Sequence, residues 1–464
     1  MFSVSRILLL VLVMWSVVSC RKEDDVTTNP AAKLEFSLDT VLYDTVFTGF
    51  GGQKPASVTK QLRIYNRNKN AVRTTIRVAG MFSSYFKINV DGIPGPEVRD
   101  YEIRGEDSIF LFVQLYIDPT NALNPFVIND SLIFETNGNI QDVQLVGWGQ
   151  NAHYFNGEEI ACNTTWTNDK PYVIYNSVLV PRGCKLTIEE GVRIHSHVGS
   201  TFYVGGTLEV KGTKANPVIF EGDRLEDAYK EIPSQWVGIR FLPQSINNKI
   251  NYAVIKNGIV GVEADSIPVN GIENLNLTNT IIRNMSGAGL VGYTSTIKAT
   301  NCLLHNMGTY SFVGELGGNY TFYHCTFSAY NNFQGRTDPS FYLSNANFEP
   351  PGGPVVINNL TYDIANCIID GSEEDELELN EEGQGTITKS LRNCLVRQEK
   401  AGVVPDNANN LLNLDPLYKN FGKNDFHLSA GSPCINKGVN VGVATDLDGE
   451  NRDTQPDIGC YEFK

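Results

Sequence analysis

The chain has 464 residues, enough for two or three domains, and carries a formal net charge of −15 at pH 7. So acidic a balance disfavours nucleic acid as a partner, because binding to phosphates needs Lys and Arg to replace counterions. It also gives no attraction toward polyanionic glycans. Only 19% of residues are charged and 42 are glycine, which suits short strands joined by tight turns.

The first 20 residues are predicted to be an export signal. Arg6 is a short basic region, and the apolar run from Ile7 to Val18 is too short to span a bilayer. The run ends in Val17-Val18-Ser19-Cys20, which resembles a bacterial lipobox. The resemblance implies that acyl chains on Cys20 anchor the protein to a membrane. The alternative is an ordinary signal peptide in which the cysteine is incidental.

Residues 21–32 are polar and charged, and we expect a disordered tether. Their first five residues, Arg-Lys-Glu-Asp-Asp, resemble the surface-export signal of Bacteroidetes lipoproteins. That resemblance implies a lipid-anchored protein of the outer membrane that is exposed at the cell surface. A solvated tether without a sorting role is the alternative interpretation.

Residues 33–150 show short alternating strands separated by turn residues, a pattern that predicts a β-sandwich. One hairpin-like turn is expected at Arg67–Asn70, and a second at Asn137-Gly138, where Asn-Gly is a strong tight-turn signal. The order of these strands resembles the small Ig-like domains that precede repeats in Bacteroidetes surface proteins.

Six later segments begin alike, with Asn or His followed by an apolar stretch, and recur at intervals of 22 to 42 residues. A recurring unit of this length built from strands and Gly/Asn turns indicates a β-solenoid. We expect the first residues to form a ladder at one bend, because Asn can bond backbone groups and the next Asn along the axis. These residues are Asn251, Asn279, Asn301, His324, Asn366 and Asn393. One inward column is expected at Val254, Ile282, Leu304, Phe327, Ile369 and Val396.

The phrases Leu186–Gly191, Gly206–Thr213 and Asn216–Phe220 resemble the opening coils of right-handed parallel β-helices of the pectate-lyase-like type. The resemblance covers roughly residues 160–464. The predicted fold is therefore all-β: a right-handed parallel β-helix over residues 151–464, preceded by the small Ig-like sandwich. The last segment, from Ser432 to Glu462, resembles the ending of many bacterial β-helix proteins, and we expect it to cap the final coil.

Eight cysteines remain beyond Cys20, and export permits disulfides. We expect two bonds, Cys162 with Cys184 and Cys434 with Cys460, because each pair flanks a turn-rich segment near a solenoid end. The other four hold one place in successive coils, at Cys302, Cys325, Cys367 and Cys394. Buried thiols acting as small hydrophobic groups are the favoured interpretation, since a linear column does not converge on a metal as a tetrahedral site requires.

Neither the carboxylate pair of a glycosidase nor the cation and base of a polysaccharide lyase is recognisable in the sequence. The weak catalytic candidates are Asp223 and Arg224 in one insertion, and Arg336 and Asp338 in another; salt bridges that hold these insertions are the competing interpretation. No metal site is predicted: His195 and His197 lack a third ligand.

The segment Asp446-Leu447-Asp448-Gly449 is similar to the start of a calcium-binding loop but lacks the later bidentate Glu. A polar turn with Arg452 is therefore favoured over Ca²⁺ as a cofactor. The acidic run at residues 373–382 is interpreted as a solvated loop. Four aromatic residues could stack on sugars or lie in the core: Trp166, Tyr172, Trp236 and Tyr330.

The expected lipid anchor, the solenoid and the lack of a recognisable catalytic set together favour a non-catalytic envelope lipoprotein. Its β-helix would present a surface for glycan or protein binding. A polysaccharide lyase or glycoside hydrolase with an unfamiliar site is the second hypothesis. A purely structural or adhesive component is the third. The expected partners are the membrane, through the lipid, and a polysaccharide or surface protein.

Overall fold

The computed structural model describes residues 25–49, 57–265, 272–330, 335–347, 355–405 and 408–464. Its described residues are almost entirely strands and turns, with three single-turn 3-10 helices at Ser83–Tyr85, Asp227–Tyr229 and Phe421–Lys423. The chain divides into two compact units, one ending at Asn151 and the other beginning at Ala152. Among the described residues, no helix is long and apolar enough to cross a membrane. Cys20 lies outside them.

The first unit is a β-sandwich of two five-stranded sheets, with orders β1-β3-β8-β5-β6 and β2-β10-β9-β4-β7. Alternate residues of both sheets face inward and form one apolar core. The described strands are β1 (Glu35–Phe36), β2 (Thr40–Phe47), β3 (Lys60–Tyr65), β4 (Val72–Ala79), β5 (Phe86–Val90), β6 (Ile93–Gly95), β7 (Glu97–Ile103), β8 (Ser108–Leu115), β9 (Phe126–Thr136) and β10 (Asn139–Gln150).

The two expected turns of this unit have different outcomes. Strands β9 and β10 form the predicted hairpin, with Asn137 and Gly138 both at positive φ (49° and 81°) as a tight turn requires. Residues Arg67–Asn70 do not close a hairpin, because β3 pairs with β1 and β8 whereas β4 pairs with β7 and β9 of the other sheet. Alternation alone could not show that the chain crosses the sandwich there.

The part of the expected tether that is described is bound to the sandwich. The amide of Thr27 donates to the Ala71 carbonyl at 2.9 Å. The side chain of Asn137 donates to the Thr27 carbonyl at 2.9 Å, and Asn139 donates to that of Pro30 at 2.5 Å. Asparagine side chains from the β9–β10 turn thus satisfy backbone groups that a free tether would leave to water.

The second unit is a parallel β-helix followed by a short antiparallel strand pair and a C-terminal segment. Its described strands are β11 (His153–Glu159), β12 (Thr164–Trp166), β13 (Tyr172–Val180), β14 (Lys185–Ile188), β15 (Arg193–Ser196), β16 (Thr201–Val204), β17 (Thr207–Lys211), β18 (Val218–Gly222), β19 (Gly238–Phe241), β20 (Asn248–Asn251), β21 (Ala253–Lys256), β22 (Val262–Asp265), β23 (Leu275–Thr278), β24 (Ile281–Met285), β25 (Leu290–Thr300), β26 (Leu303–Met307), β27 (Phe312–Tyr323), β28 (Thr326–Ala329), β29 (Phe341–Ser344), β30 (Leu360–Ala365), β31 (Ile368–Gly371), β32 (Leu377–Asn380), β33 (Ile387–Arg392), β34 (Leu395–Val396), β35 (Leu411–Leu412), β36 (Tyr418–Asn420) and β37 (Asp425–Leu428).

Strands β11 to β35 stack in parallel as three sheets, since each strand pairs with its equivalent one coil later. Sheet A contains β12, β14, β17, β20, β23, the second halves of β25 and β27, β30 and β33. Sheet B follows it in each coil and contains β15, β18, β21, β24, β26, β28, β31, β34 and β35. Sheet C completes the coil with β16, β19, β22, the first halves of β25 and β27, β29 and β32. The predicted right-handed parallel β-helix is therefore confirmed.

The bend from sheet A to sheet B explains the repeated asparagines. One residue per coil has φ between 46° and 57° there, a left-handed conformation that Asn tolerates better than most side chains. These residues are Tyr252, Asn279, Asn301, His324, Asn366 and Asn393. Asn279 donates to Asn251 at 3.0 Å, Asn301 donates to Asn279 at 3.2 Å, and the Asn366 amide lies 2.9 Å from His324 Nε2.

The first coil of the expected ladder is displaced by one residue. Strand register places Asn251 beside Thr278, so Tyr252, and not Asn251, occupies the left-handed position. The inward column accordingly begins at Ile255, which pairs with Ile282, whereas Val254 pairs with Ile281. A tyrosine at a position filled by Asn or His in the later coils concealed the true register.

The cysteines separate into one bonded pair and six free thiols among the described residues. The predicted disulfide between Cys162 and Cys184 is confirmed, with Cα atoms 4.7 Å apart. The predicted bond between Cys434 and Cys460 is wrong. Cys434 is buried in a cluster with Leu395 and Ile458, whereas Cys460 is buried in a different cluster with Leu303 and Phe426. Each thiol therefore fills its own apolar site.

The C-terminal segment lies along sheet B instead of closing the last coil. Asn301 donates to the Thr445 carbonyl at 2.8 Å, Asn366 to that of Val439 at 2.7 Å and Asn393 to that of Lys437 at 2.9 Å. Its apolar residues cover the outward side chains of sheet B. The side-chain amides of these ladder asparagines therefore donate to backbone carbonyls of the C-terminal segment.

Replacement of Asn301 by Leu should lower the free energy of unfolding by about 1–3 kcal/mol, because the Thr445 carbonyl loses its side-chain donor and Arg452 loses one of its acceptors. Denaturant unfolding of the β-helix would measure the change. Asn276→Leu is the matched control, since Asn276 is half-buried on sheet A and bonds only Glu273 among the described contacts. Equal stability of both variants would show that the ladder contributes nothing.

Alkylation of the denatured, unreduced ectodomain should label six thiols, because only Cys162 and Cys184 are bonded. Intact mass spectrometry would count the labels. A count of four, with Cys434 and Cys460 protected, would contradict the separate burial of these two residues.

Loss of the existing bond should destabilise the unit by about 3 kcal/mol, from the loop of 22 residues that it closes.

Candidate functional site

The candidates Asp223 and Arg224 are each bound to a different partner and form no open catalytic pair. The Asp223 carboxylate accepts a hydrogen bond from His197 Nδ1 at 2.6 Å, and this bond raises the pKa of His197. Arg224 pairs with Glu226 at 3.1 Å and lies 4.0 Å from the centre of the Tyr229 ring. These contacts hold the insertion before Trp236, as the salt-bridge interpretation proposes.

Arg336 has a structural position. Its guanidinium lies 2.5 Å from the Glu376 carboxylate, with both side chains at most 1% exposed, and it also donates to the Ala329 carbonyl at 3.0 Å. Arg336 also donates to the Asp338 backbone carbonyl, whereas the Asp338 carboxylate accepts from the Tyr310 hydroxyl at 3.2 Å. The acidic run at residues 373–382 is thus not a simple solvated loop, since it includes the buried Glu376 and strand β32.

The metal alternatives find no support in the described contacts. His195 is buried, which lowers its pKa, and its Nδ1 lies 3.4 Å from the Gly222 carbonyl, while His197 bonds Asp223. Both carboxylate oxygens of Asp446 accept backbone amides, from Glu450 and Glu462. Among the described residues, no group of three acidic, His or Cys side chains could hold a metal ion.

The three sheets present different outer faces. On sheet A, outward charges pair with one another, as in Lys185 with Glu209 at 2.6 Å. Sheet B is covered from β24 onward by the C-terminal part of the chain. Sheet C presents tyrosines and carboxylates in columns set by strand register: Tyr203, Arg240, Glu263, Val291, Val313, Tyr342 and Glu378 in one, and Asp265, Tyr293, Glu315, Ser344 and Asn380 in the next.

An aromatic patch forms the centre of this sheet C face. Val291 and Val313 pack with Tyr342 and with the half-buried rings of Tyr293 and Tyr310. The Tyr310 and Tyr342 ring centres are 5.8 Å apart. Tyrosine combines a flat apolar ring with a polar hydroxyl, a combination that suits ligands with both apolar and hydroxyl-bearing surfaces.

Two glycines beside the patch have a packing function. A Cβ on Gly292 would lie 2.8 Å from the Tyr320 ring, and one on Gly314 would lie 2.7 Å from Leu343. Successive coils therefore read Val-Gly-Tyr and Val-Gly-Glu, which places Tyr293 and Glu315 side by side on neighbouring strands. This repeat was the signal in the sequence that could have revealed the face.

Charged groups border the aromatic patch. One Arg240 nitrogen lies 3.2 Å from both Glu263 and Asp265, so this guanidinium pairs with two carboxylates that belong to neighbouring columns. Glu315 is 9% exposed, and its burial raises its pKa to about 7. A carboxyl that holds its proton near neutral pH can donate a hydrogen bond or a proton to a ligand oxygen.

Comparisons with known proteins agree with the fold. Residues 157–287 match the family model of the pectate-lyase like beta helix domain, which covers less than half of the chain. No curated protein matches the chain.

Three solved structures are similar to parts of it. The catalytic unit of a GH87 α-1,3-glucanase from Streptomyces thermodiastaticus is 11% identical, over 76% of this chain and 87% of its own, with a TM-score of 0.27. A family 123 glycoside hydrolase from Clostridium perfringens is 12% identical, over 25% and 26%, with a TM-score of 0.19. A Porphyromonas gingivalis protein of unknown function is 10% identical, over 27% and 59%, also with a TM-score of 0.19.

The raised pKa of Glu315 predicts a pH dependence of stability. Between about pH 4.5 and 7 the native carboxyl keeps a proton that the unfolded chain has lost, so stability falls as pH rises through this range. Glu315→Gln should remove this contribution, so its stability relative to wild type should be higher at pH 8 than at pH 4 by about 3 kcal/mol. Paired unfolding curves would measure the difference. A constant difference between the two proteins at all pH values would contradict the shift.

Proposed function

We propose that the sheet C face binds a glycan at the cell envelope. The observation that carries this proposal is the cluster of Tyr293, Tyr310 and Tyr342 beside Glu315, with Arg240 two strands from Tyr293 on the same sheet. Tyrosine rings can pack against the apolar side of a sugar ring, while the guanidinium and carboxyl groups exchange hydrogen bonds with its hydroxyls.

The charge of the face restricts the kind of glycan. Glu263, Asp265, Glu315 and Glu378 outnumber Arg240, and the whole chain carries a net charge of −15. Uronates and sulfated sugars would be repelled by this excess of carboxylates. We therefore infer a neutral glycan as the ligand.

Attachment to the membrane through Cys20 is part of this proposal. The lipobox-like sequence supports lipidation, and the acidic residues after it support display on the outer membrane. Labelling of cells with an alkyne fatty acid should modify the wild-type protein and leave Cys20→Ala unlabelled. Label on that variant would exclude Cys20 as the acylated residue. The Ig-like character of the sandwich remains a prediction.

A second candidate, glycoside hydrolysis, is favoured by one observation. Glu315 is a carboxyl of the sheet C face with a proton to give near neutral pH, and Asp265 lies two strands away in the same column. Two strand spacings are about 9.6 Å, close to the upper end of the separation of about 6.5–9.5 Å between the carboxyl groups of inverting glycosidases. Glu315 would then act as the general acid and Asp265 as the base.

One experiment separates binding from hydrolysis. The ectodomain from Arg21 onward is incubated with neutral plant and host polysaccharides, with and without Ca²⁺, while melting temperature and released sugar are followed together. A thermal shift without product supports a binding face. Product that accumulates with time and disappears in Glu315→Gln supports the hydrolase. Neither response with any polysaccharide would contradict both and favour a structural or protein-binding function.

For a glycan that binds, Tyr293→Ala should raise the Kd about tenfold, because a half-buried ring on the face is lost. The matched control is Tyr323→Ala, since Tyr323 is a half-buried tyrosine of sheet A that bonds Asp363. Isothermal titration calorimetry would compare the two variants. A larger effect from Tyr323 would place the glycan on sheet A instead.

A further inference from the structure

A cavity lies beside sheet B, away from the sheet C face. Its volume is about 280 Å³, and its walls include Tyr330, Asp370, Arg397, Glu399 and Asp415. This is close to the lower end of the usual range for ligand pockets, about 300–1,000 Å³. The cavity therefore fits a small molecule and not a long chain.

Asp370 is the unusual group in this cavity. It is 1% exposed, and the Tyr418 hydroxyl donates to its Oδ1 at 3.1 Å. Its other oxygen, Oδ2, makes no hydrogen bond of regular geometry in the described part of the chain, and the nearby Ser328 and Tyr330 hydroxyls lower the carboxyl pKa against the larger effect of burial. A buried carboxyl oxygen without a donor is costly, by about 1–3 kcal/mol or more. A ligand that supplies a donor would remove this cost.

The cavity is held in place by its surroundings. Asn413 exchanges hydrogen bonds with the backbone of Gln398 at 2.7 and 3.0 Å, and Asp415 accepts the Leu417 amide at 2.8 Å. The Tyr330 ring packs on Phe421 with ring centres 4.7 Å apart. The walls are thus fixed by the protein's own contacts, as in a preformed binding site.

The mixture of charges selects the chemistry of the ligand. Asp370, Glu399 and Asp415 disfavour an anion, while Arg397 offers hydrogen-bond donors to a ligand oxygen. Burial raises the pKa of Asp370 to about 7, so near neutral pH this carboxyl is present in both protonation states. A hydroxyl group can donate to the carboxylate or accept from the acid, and can accept from Arg397.

We propose that this cavity binds a neutral monosaccharide unit, with a sugar hydroxyl donating to Asp370 Oδ2, a second hydroxyl accepting from Arg397 and the Tyr330 ring forming an apolar wall. The site shares no residue with the sheet C face. It extends the proposed function to a second, separate point of sugar contact, and it can be present or absent independently of the first.

The test uses the ectodomain carrying Glu315→Gln, which alters the sheet C face and leaves the cavity intact. Saturation-transfer NMR titrations with D-glucose, D-galactose, D-mannose, D-xylose, L-fucose and N-acetyl-D-glucosamine would detect weak binding. We expect at least one sugar to bind saturably, and Asp370→Leu in the same background to weaken it at least about tenfold.

Arg397→Ala provides a second variant should Asp370→Leu fail to fold, because Arg397 lies at the cavity wall and makes no core contact among the described apolar clusters. It should weaken the same sugar severalfold. Absence of binding for all six sugars would overturn the proposal, as would unchanged affinity in folded Asp370→Leu or Arg397→Ala. Loss of polysaccharide binding by Tyr293→Ala with sugar binding at the cavity retained would show that the two sites are independent.

Discussion

The bend between sheets A and B is the constraint on which most of the β-helix depends. Each coil must turn there through a residue with left-handed backbone, and six successive coils place that residue in the same register. A slip of one residue would turn every inward side chain outward. The hydrogen bonds between neighbouring asparagine side chains therefore add to a register that the inward apolar residues already require.

The same register creates the columns on the outer faces. Ile282, Leu304 and Phe327 face inward in consecutive coils. Because side chains alternate along a strand, the residues next to each of them face outward and form columns of their own. On sheet C this places Tyr293 beside Glu315 although 22 residues separate them in the chain. Gly292 and Gly314 add space for the Tyr320 ring beneath. Core packing and the candidate site are thus two consequences of one register.

Much of the fold could be predicted because its signals are local and repeated. The repeat length, the Asn bend and the strand phrases around Leu186 and Gly206 all lie within a few residues of one another. The failures concern information that is not local. Tyr252 takes the left-handed position without an asparagine, and the spacing of Cys434 and Cys460 does not reveal that they enter separate apolar clusters. The sheet C face needed the register between distant coils, which no single segment contains.

The C-terminal segment explains why the three faces differ. Arg452 is buried and pairs with Glu462 at 3.0 Å, and it also donates to Asn301 in the ladder. This contact fixes the segment to the side of the coils, because breaking it would leave a buried charge with fewer partners. Much of sheet B is then covered, and Tyr418, which precedes this segment, bonds one oxygen of the Asp370 carboxyl and not the other. Sheet A balances its charges internally, as in the pair of Lys389 with Glu381 that borders it. Sheet C combines closely packed tyrosines with a carboxyl that burial keeps partly protonated, and this carboxyl costs stability above pH 7. A group that is unfavourable for folding and lies among aromatic rings is better explained by a ligand than by the architecture.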